Sequence, residues 1–101
     1  MRVFISQPMR GKSNEEIRAE RERLAGKARE LYGDEIEIVD SFFEDAPVGV
    51  CPLWYLGSSL MLLSTADVAV FAGDWQDARG CRIEHTCALE YGIEVVESYS
   101  K

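Results

Sequence analysis

Cys81, Glu84, His85 and Cys87 stand within seven residues, and their spacing decides which of them can act together. At about 100° per residue on a helix, Cys81, Ile83, Glu84, Cys87, Ala88 and Tyr91 share one arc, while Arg82, His85, Thr86 and Glu90 take the opposite one. Leu89 is the one residue out of place. A carboxylate therefore lies on the apolar face. Taking an ionised carboxylate out of water costs several kcal/mol even after its surroundings relax, so Glu84 must be ion-paired, neutralised or set in a polar cleft. The opening turns of the helix offer free backbone N–H groups and a positive dipole end, worth roughly 0.3 to 1 kcal/mol to an anion. The expectation is a carboxylate kept ionised as a nucleophile rather than held protonated as an acid. A buried ion pair with Arg10, Arg79 or Arg82 is the structural alternative.

The neighbouring groups support other chemistries less well. Cys81 and His85 are about 40° apart on the wheel and could share an ion, but Cys87 projects away and no second ligand pair exists elsewhere, so no metal is expected. Cys81 near a helix start is a candidate for a lowered pKa, yet His85 on the polar arc reads as an exposed helix residue rather than its base. Asp67, Asp74, Asp77 and Glu84 could hold magnesium for phosphoryl chemistry, but no Gly-x-x-x-x-Gly-Lys loop accompanies them.

These residues need elements to position them. Arg2–Ile5 is a β-branched and aromatic run ended by Ser6-Gln7-Pro8, a first strand. Ser13 with Glu16 forms a capping-box signature, and Ile17, Leu24, Ala28 and Leu31 recur at helical spacing until Gly33, giving a helix over 14–32 whose charged positions, Arg18 and Arg21 among them, form a solvated face. Ile36–Val39 is a second strand, and Ser41–Pro52 a loop carrying Phe42 and Phe43. Leu53–Leu63 is an apolar helix broken only by Gly57, Ser58 and Ser59, which must be buried by the core, by a partner subunit or by both. Asp67–Ala72 reads as a strand covered on both faces. Gly80–Tyr91 is the third helix, closed by Gly92, and Ile93–Val96 the last strand.

Such alternation builds a parallel sheet with right-handed crossovers. The fold expected is a single α/β domain over residues 1–101, a flavodoxin-like or Rossmann-like three-layer sandwich with four parallel strands in the order 2-1-3-4. Ligands of such sheets bind beyond the carboxyl ends of the strands, where successive connections leave on opposite faces. Two loops meet there, Ser6-Gln7-Pro8-Met9-Arg10-Gly11-Lys12 and Gly73-Asp74-Trp75-Gln76-Asp77-Ala78-Arg79-Gly80. Arg10, Lys12 and Arg79 would suit one phosphate. Trp75 has the face to stack on a nucleobase, or to cover the core. Asp77 has a competing role as cap of the third helix.

Composition narrows the partners. In 101 residues, 11 Lys and Arg stand against 18 Asp and Glu, a formal net charge of −7 that opposes binding to a polymer of phosphates. The longest apolar run, Leu60–Leu63, is too short to span a bilayer, and Met1–Ile5 does not open a leader peptide. Three scattered cysteines give no disulfide framework and suggest the cytoplasm. The apolar second helix suggests a homo-oligomer.

Three segments together carry a family likeness: Ile5-Ser6-Gln7-Pro8-Met9; the strand Ala66-Asp67-Val68-Ala69-Val70-Phe71; and the helix opening Gly80-Cys81-Arg82-Ile83-Glu84-His85-Thr86-Cys87-Ala88. With them the chain resembles, over nearly its whole length, the nucleoside 2-deoxyribosyltransferase-like superfamily, and within it small bacterial and phage members. The resemblance implies cleavage or transfer at the N-glycosidic bond of a (deoxy)nucleoside or its 5′-monophosphate, without a cofactor. It assigns Glu84, four residues after Gly80, as the nucleophile toward the anomeric carbon. Asp74 or Asp77 would protonate the departing base. Ser6, Gln7, Pro8, Met9, Arg10, Gly11, Trp75, Arg79 and Gly80 would shape the substrate pocket. Two positions depart from the family pattern: Ala78 stands where an aspartate or serine holds the sugar or phosphate, and Arg82 where a second glycine is common. Those departures favour a rival reading, a domain that binds a nucleotide without turning it over.

Overall fold

A computed structural model describes residues 1–97 of the expected domain; residues 98–101 lie outside the described residues. The elements follow as β1 (Arg2–Ser6), α1 (Asn14–Tyr32), β2 (Glu37–Ile38), α2 (Pro52–Leu63), β3 (Val68–Phe71), a single 3-10 turn (Trp75–Asp77), α3 (Arg79–Glu90) and β4 (Glu94–Glu97). All strand pairs are parallel and the order is β2-β1-β3-β4, as the alternation of elements requires. The fold is an α/β sandwich.

Side chains of period two divide the sheet between two cores. Val3, Ile5, Val68, Val70 and Ala72 face α1 and pack on Leu24, Ala25 and Ala28. Phe4, Ala69 and Phe71 face the other way, against Leu63 of α2 and Ala88 of α3. The strands are thus covered on both faces, which is why β3 is buried at every position. α1 starts on the expected capping box: Ser13 Oγ accepts from the Glu16 N–H at 3.1 Å, and Glu16 Oε1 accepts from the Ser13 N–H at 3.0 Å. These bonds hold the Glu16 carboxyl below its ordinary pKa. The helix ends at Gly33, whose φ of +92° is open only to a residue without Cβ strain.

Two expectations from periodicity are corrected, and a third stays open. Leu31 is 52% exposed, and its neighbour Tyr32 packs against the α1-side core instead. Tyr91, placed on the inner arc of α3, lies past the helix end and is 83% exposed. Of α2's residues only Leu63 is buried; Leu53 and Met61 are 71% and 74% exposed, so within this chain the core covers only part of the apolar helix. Among the described residues no helix is long and apolar enough to cross a membrane.

Candidate functional site

The alternation that divides the cores also sorts the residues at the end of β1. Ser6 shares a face with Phe4 and points to α3, while Gln7 takes the α1 side. β1 runs one residue further than its apolar pattern, because the Ala72 N–H donates to Ser6 O at 2.9 Å. That extension fixes Ser6 opposite the second turn of α3. Its Oγ donates to Glu84 Oε1 at 2.6 Å, with Ser6 2% and Glu84 8% exposed. Ser59 of α2 lies near enough to the same carboxyl to lower its pKa. Glu84 is therefore buried on the inner face of α3, as its helical arc requires, but its hydrogen-bond partner is the Ser6 hydroxyl. The alternative pairing with arginine is not what holds it: Arg82 Nη1 donates to Gln76 O at 2.8 Å, and Arg10 and Arg79 are exposed.

Burial dominates the carboxyl's titration and pushes its pKa up to about 7; the Ser6 hydrogen bond, nearby Ser59 and the charge of Arg21 pull the other way without cancelling it. The expectation of a fully ionised carboxylate is corrected. Glu84 is the sixth residue of α3, and the helix dipole fades beyond the first turn, so desolvation is the larger effect. Cys81 is corrected in the same sense. Burial pushes its thiol up to about 12, further raised by the charges of Glu84 and Asp74, while nearby Ser6 and Lys12 lower it.

Lys12 Nζ lies 3.1 Å from Asp74 Oδ2, an ion pair that joins the loop after β1 to the loop after β3. The charges of both reach the Cys81 thiol, as does that of Glu84, so Ser6, Lys12, Asp74, Cys81 and Glu84 form one cluster at the carboxyl end of the sheet. Gly11, at φ +78°, makes the turn that brings Lys12 there.

The remaining pocket candidates divide. Gln7 is buried and engaged: Nε2 donates to Ile17 O at 3.0 Å, and Oε1 accepts from Arg21 Nη1 at 3.0 Å. Arg21 Nη2 continues to Val39 O at 3.0 Å and Ser41 Oγ at 2.8 Å, tying α1 to the ends of β1 and β2. Arg21 was expected on a solvated face; instead it is half-buried, and desolvation lowers its pKa. Trp75 lies 3.9 Å from the His85 ring at an interplanar angle of 7° and meets Phe71 edge-on at 5.8 Å, so it caps the second core. His85 is correspondingly half-buried rather than exposed, with Nε2 2.9 Å from Glu97 Oε2. Asp77 is exposed in the 3-10 turn and does not cap α3, whose N-cap is Ala78 with no side-chain bond. Pro8 is buried, Met9 and Gly80 half-buried, and Arg10, Gly11 and Arg79 exposed on the loops around the cluster.

Ser59 and Arg21 are the contributors that sequence reasoning passed over. Ser59 had a signal, as a polar break in an apolar helix, but nothing local says which way it points. Two cavities of about 270 and 260 Å³ lie elsewhere, one between Arg21, Arg29 and Ile38, the other between Phe42, Phe43 and Trp54; neither lining includes Glu84. No family model, curated protein or solved structure matches the chain.

Proposed function

We propose that this chain cleaves or transfers at the N-glycosidic bond of a (deoxy)nucleoside or its 5′-monophosphate, with Glu84 as the nucleophile. The observation that carries the reading is a carboxyl buried at the carboxyl ends of β1 and β3, held by Ser6 Oγ at 2.6 Å, with its pKa brought near neutrality. An ionised Glu84 oxygen attacks the anomeric carbon as the bond to the base breaks. The carboxylate stabilises the oxocarbenium-like transition state and traps the sugar as an ester. The base leaves with the bonding electrons and takes a proton. Water then hydrolyses the ester, or a second base displaces Glu84 and completes transfer. Asp74 is the better-placed in-chain acid, since its charge reaches the cluster, whereas Asp77 is exposed. Lys12, and beyond it Arg10 and Arg79, suit a single phosphate on such a substrate.

Three scattered cysteines make a reducing cytoplasm the fitting compartment, and the exposed apolar side of α2 suits a homo-oligomer. The rival reading, binding without turnover, draws on two side chains engaged elsewhere, Gln7 with Arg21 and Trp75 with His85, and on Ala78.

Incubation with deoxyribonucleosides and their 5′-monophosphates, followed by chromatography for free base, separates the two. Release that rises with pH through about 7 and drops at least about 100-fold in Glu84→Ala supports catalysis. Binding without release, unchanged in Glu84→Gln, supports the rival.

A further inference from the structure

Three aromatic side chains, Phe42, Phe43 and Trp54, are half-buried yet belong to neither core. They come from the loop after β2 and the first turn of α2. Phe43 stands edge-on to Trp54 at 5.7 Å and 73°, and Trp54 edge-on to Tyr55 at 5.3 Å and 87°. Rings crossed in this way form a corner rather than a stack. Phe42, Phe43 and Trp54 wall the cavity of about 260 Å³. The polar part of its lining is acidic, from Asp40, Glu44 and Asp45, and no lysine, arginine or histidine among the described residues lines it. Arg18 takes up the Glu44 carboxylate. Asp40 Oδ1 accepts from the Phe42 N–H at 3.3 Å, which fixes it beside the rings. Asp45 is exposed and has no ion-pair partner among the described residues.

The walls and the carboxylates select the same kind of ligand. The face of an aromatic ring is the negative part of its quadrupole, so rings and carboxylates both favour a cation and repel an anion. A bare metal ion does not suit the cavity: rings offer it no oxygen, and no group of three or more Asp, Glu, His or Cys among the described residues is placed to hold one. A primary ammonium is strongly hydrated, and ring faces cannot replace its water. An ammonium nitrogen clothed in alkyl groups satisfies both, because its methyl or methylene groups carry the charge and pack on the rings. At about 260 Å³ the cavity lies just under the roughly 300 to 1,000 Å³ of pockets for drug-sized molecules, so the ligand is small. The net charge of −7 draws cations toward the chain.

We infer that the cavity between the loop after β2 and the start of α2 binds a small alkylammonium cation, its alkyl groups on the rings of Phe42, Phe43 and Trp54 and its charge balanced by Asp40 and Asp45. The lining does not include Glu84. Occupancy is read without base release, so the site stands or falls apart from the catalytic reading.

Titration of the full chain with choline and with tetramethylammonium, followed by heteronuclear NMR, tests it. The Trp54 indole signal, identified by its loss in Trp54→Leu, and the amides from Phe42 to Ala46 should shift saturably, with a Kd on the order of 1 mM for so small a ligand. The neutral carbon isostere of choline, a dimethylbutanol of the same shape, should bind at least about fivefold more weakly. Trp54→Leu should weaken choline binding roughly five- to thirtyfold, and Trp54→Phe, which keeps a ring, should restore part of it. Asp45→Lys, at an exposed loop position outside both cores, should abolish saturation with unchanged far-UV circular dichroism. A peptide bearing trimethyl-lysine that binds more tightly than choline makes the source a modified side chain, and weaker binding makes it a free small molecule; either result supports the site. Absence of saturation at about ten times the expected Kd, shifts confined to other residues, an isostere as tight as choline, or binding unchanged in Asp45→Lys would each overturn it.

Discussion

A carboxyl raised to about 7 must leave a mark on stability. In the unfolded chain Glu84 titrates near 4.5, so between that value and about 7 the folded state binds more protons than the unfolded one. Its contribution is therefore fully present below pH 4.5 and is lost as pH rises through about 7, an effect on the order of 3 kcal/mol. Glu84→Gln removes this titration. Denaturant unfolding between pH 4 and 8 should show the wild type losing stability relative to Glu84→Gln across that window; parallel curves would mean the carboxyl is not shifted. Burial likewise explains why Cys81 is a poor thiolate. Reading Glu84 as inward from its helical arc was sound. Its protonation was not legible, because the dipole effect is local to the sequence while desolvation depends on what packs above the helix.

At the scale of elements, local chemistry sets some ends and packing sets others. The α1 start rests on the Ser13–Glu16 exchange of hydrogen bonds, all contained within four residues. Ser13→Ala should cost about 1 kcal/mol in thermal or denaturant unfolding, and a change of only a few tenths would show that tertiary contacts carry that end. α3 has no such device: Ala78 cannot cap it, and Trp75, just ahead of the helix, packs on Phe71 and on His85 of its second turn. Asp77 resembled a cap in sequence because helix starts favour aspartate. The N-cap falls on Ala78, one residue past Asp77, which lies exposed in the 3-10 turn. Gln7 and Ser6 are neighbours in the chain but serve opposite layers, since successive residues of a strand point to opposite faces. The pocket-forming role expected of both therefore divides: Ser6 meets Glu84, and Gln7 ties β1 to α1 through Arg21.

For the whole molecule, one sheet serves two cores, and each should matter to the same transition. Leu24→Ala, on the α1 side, and Phe71→Ala, on the α2 and α3 side, should cost roughly 2 to 5 kcal/mol and 3 to 5 kcal/mol. Each should still unfold in a single step, because the shared strands couple the layers; separate transitions for the two sides would contradict that coupling. The order β2-β1-β3-β4 follows from what the sequence alone contains, since alternating strand and helix periods admit few parallel topologies with right-handed crossovers. The capping box and the inward arc of Glu84 were equally legible, being repeats of chain geometry over a few residues. Only the tertiary structure decided that Ser6, from a strand 78 residues earlier, is the carboxyl's partner, that Arg21 turns inward, and that His85 stacks on Trp75. Those contacts join residues distant in sequence, and their directions depend on how the layers settle against one sheet rather than on any local pattern.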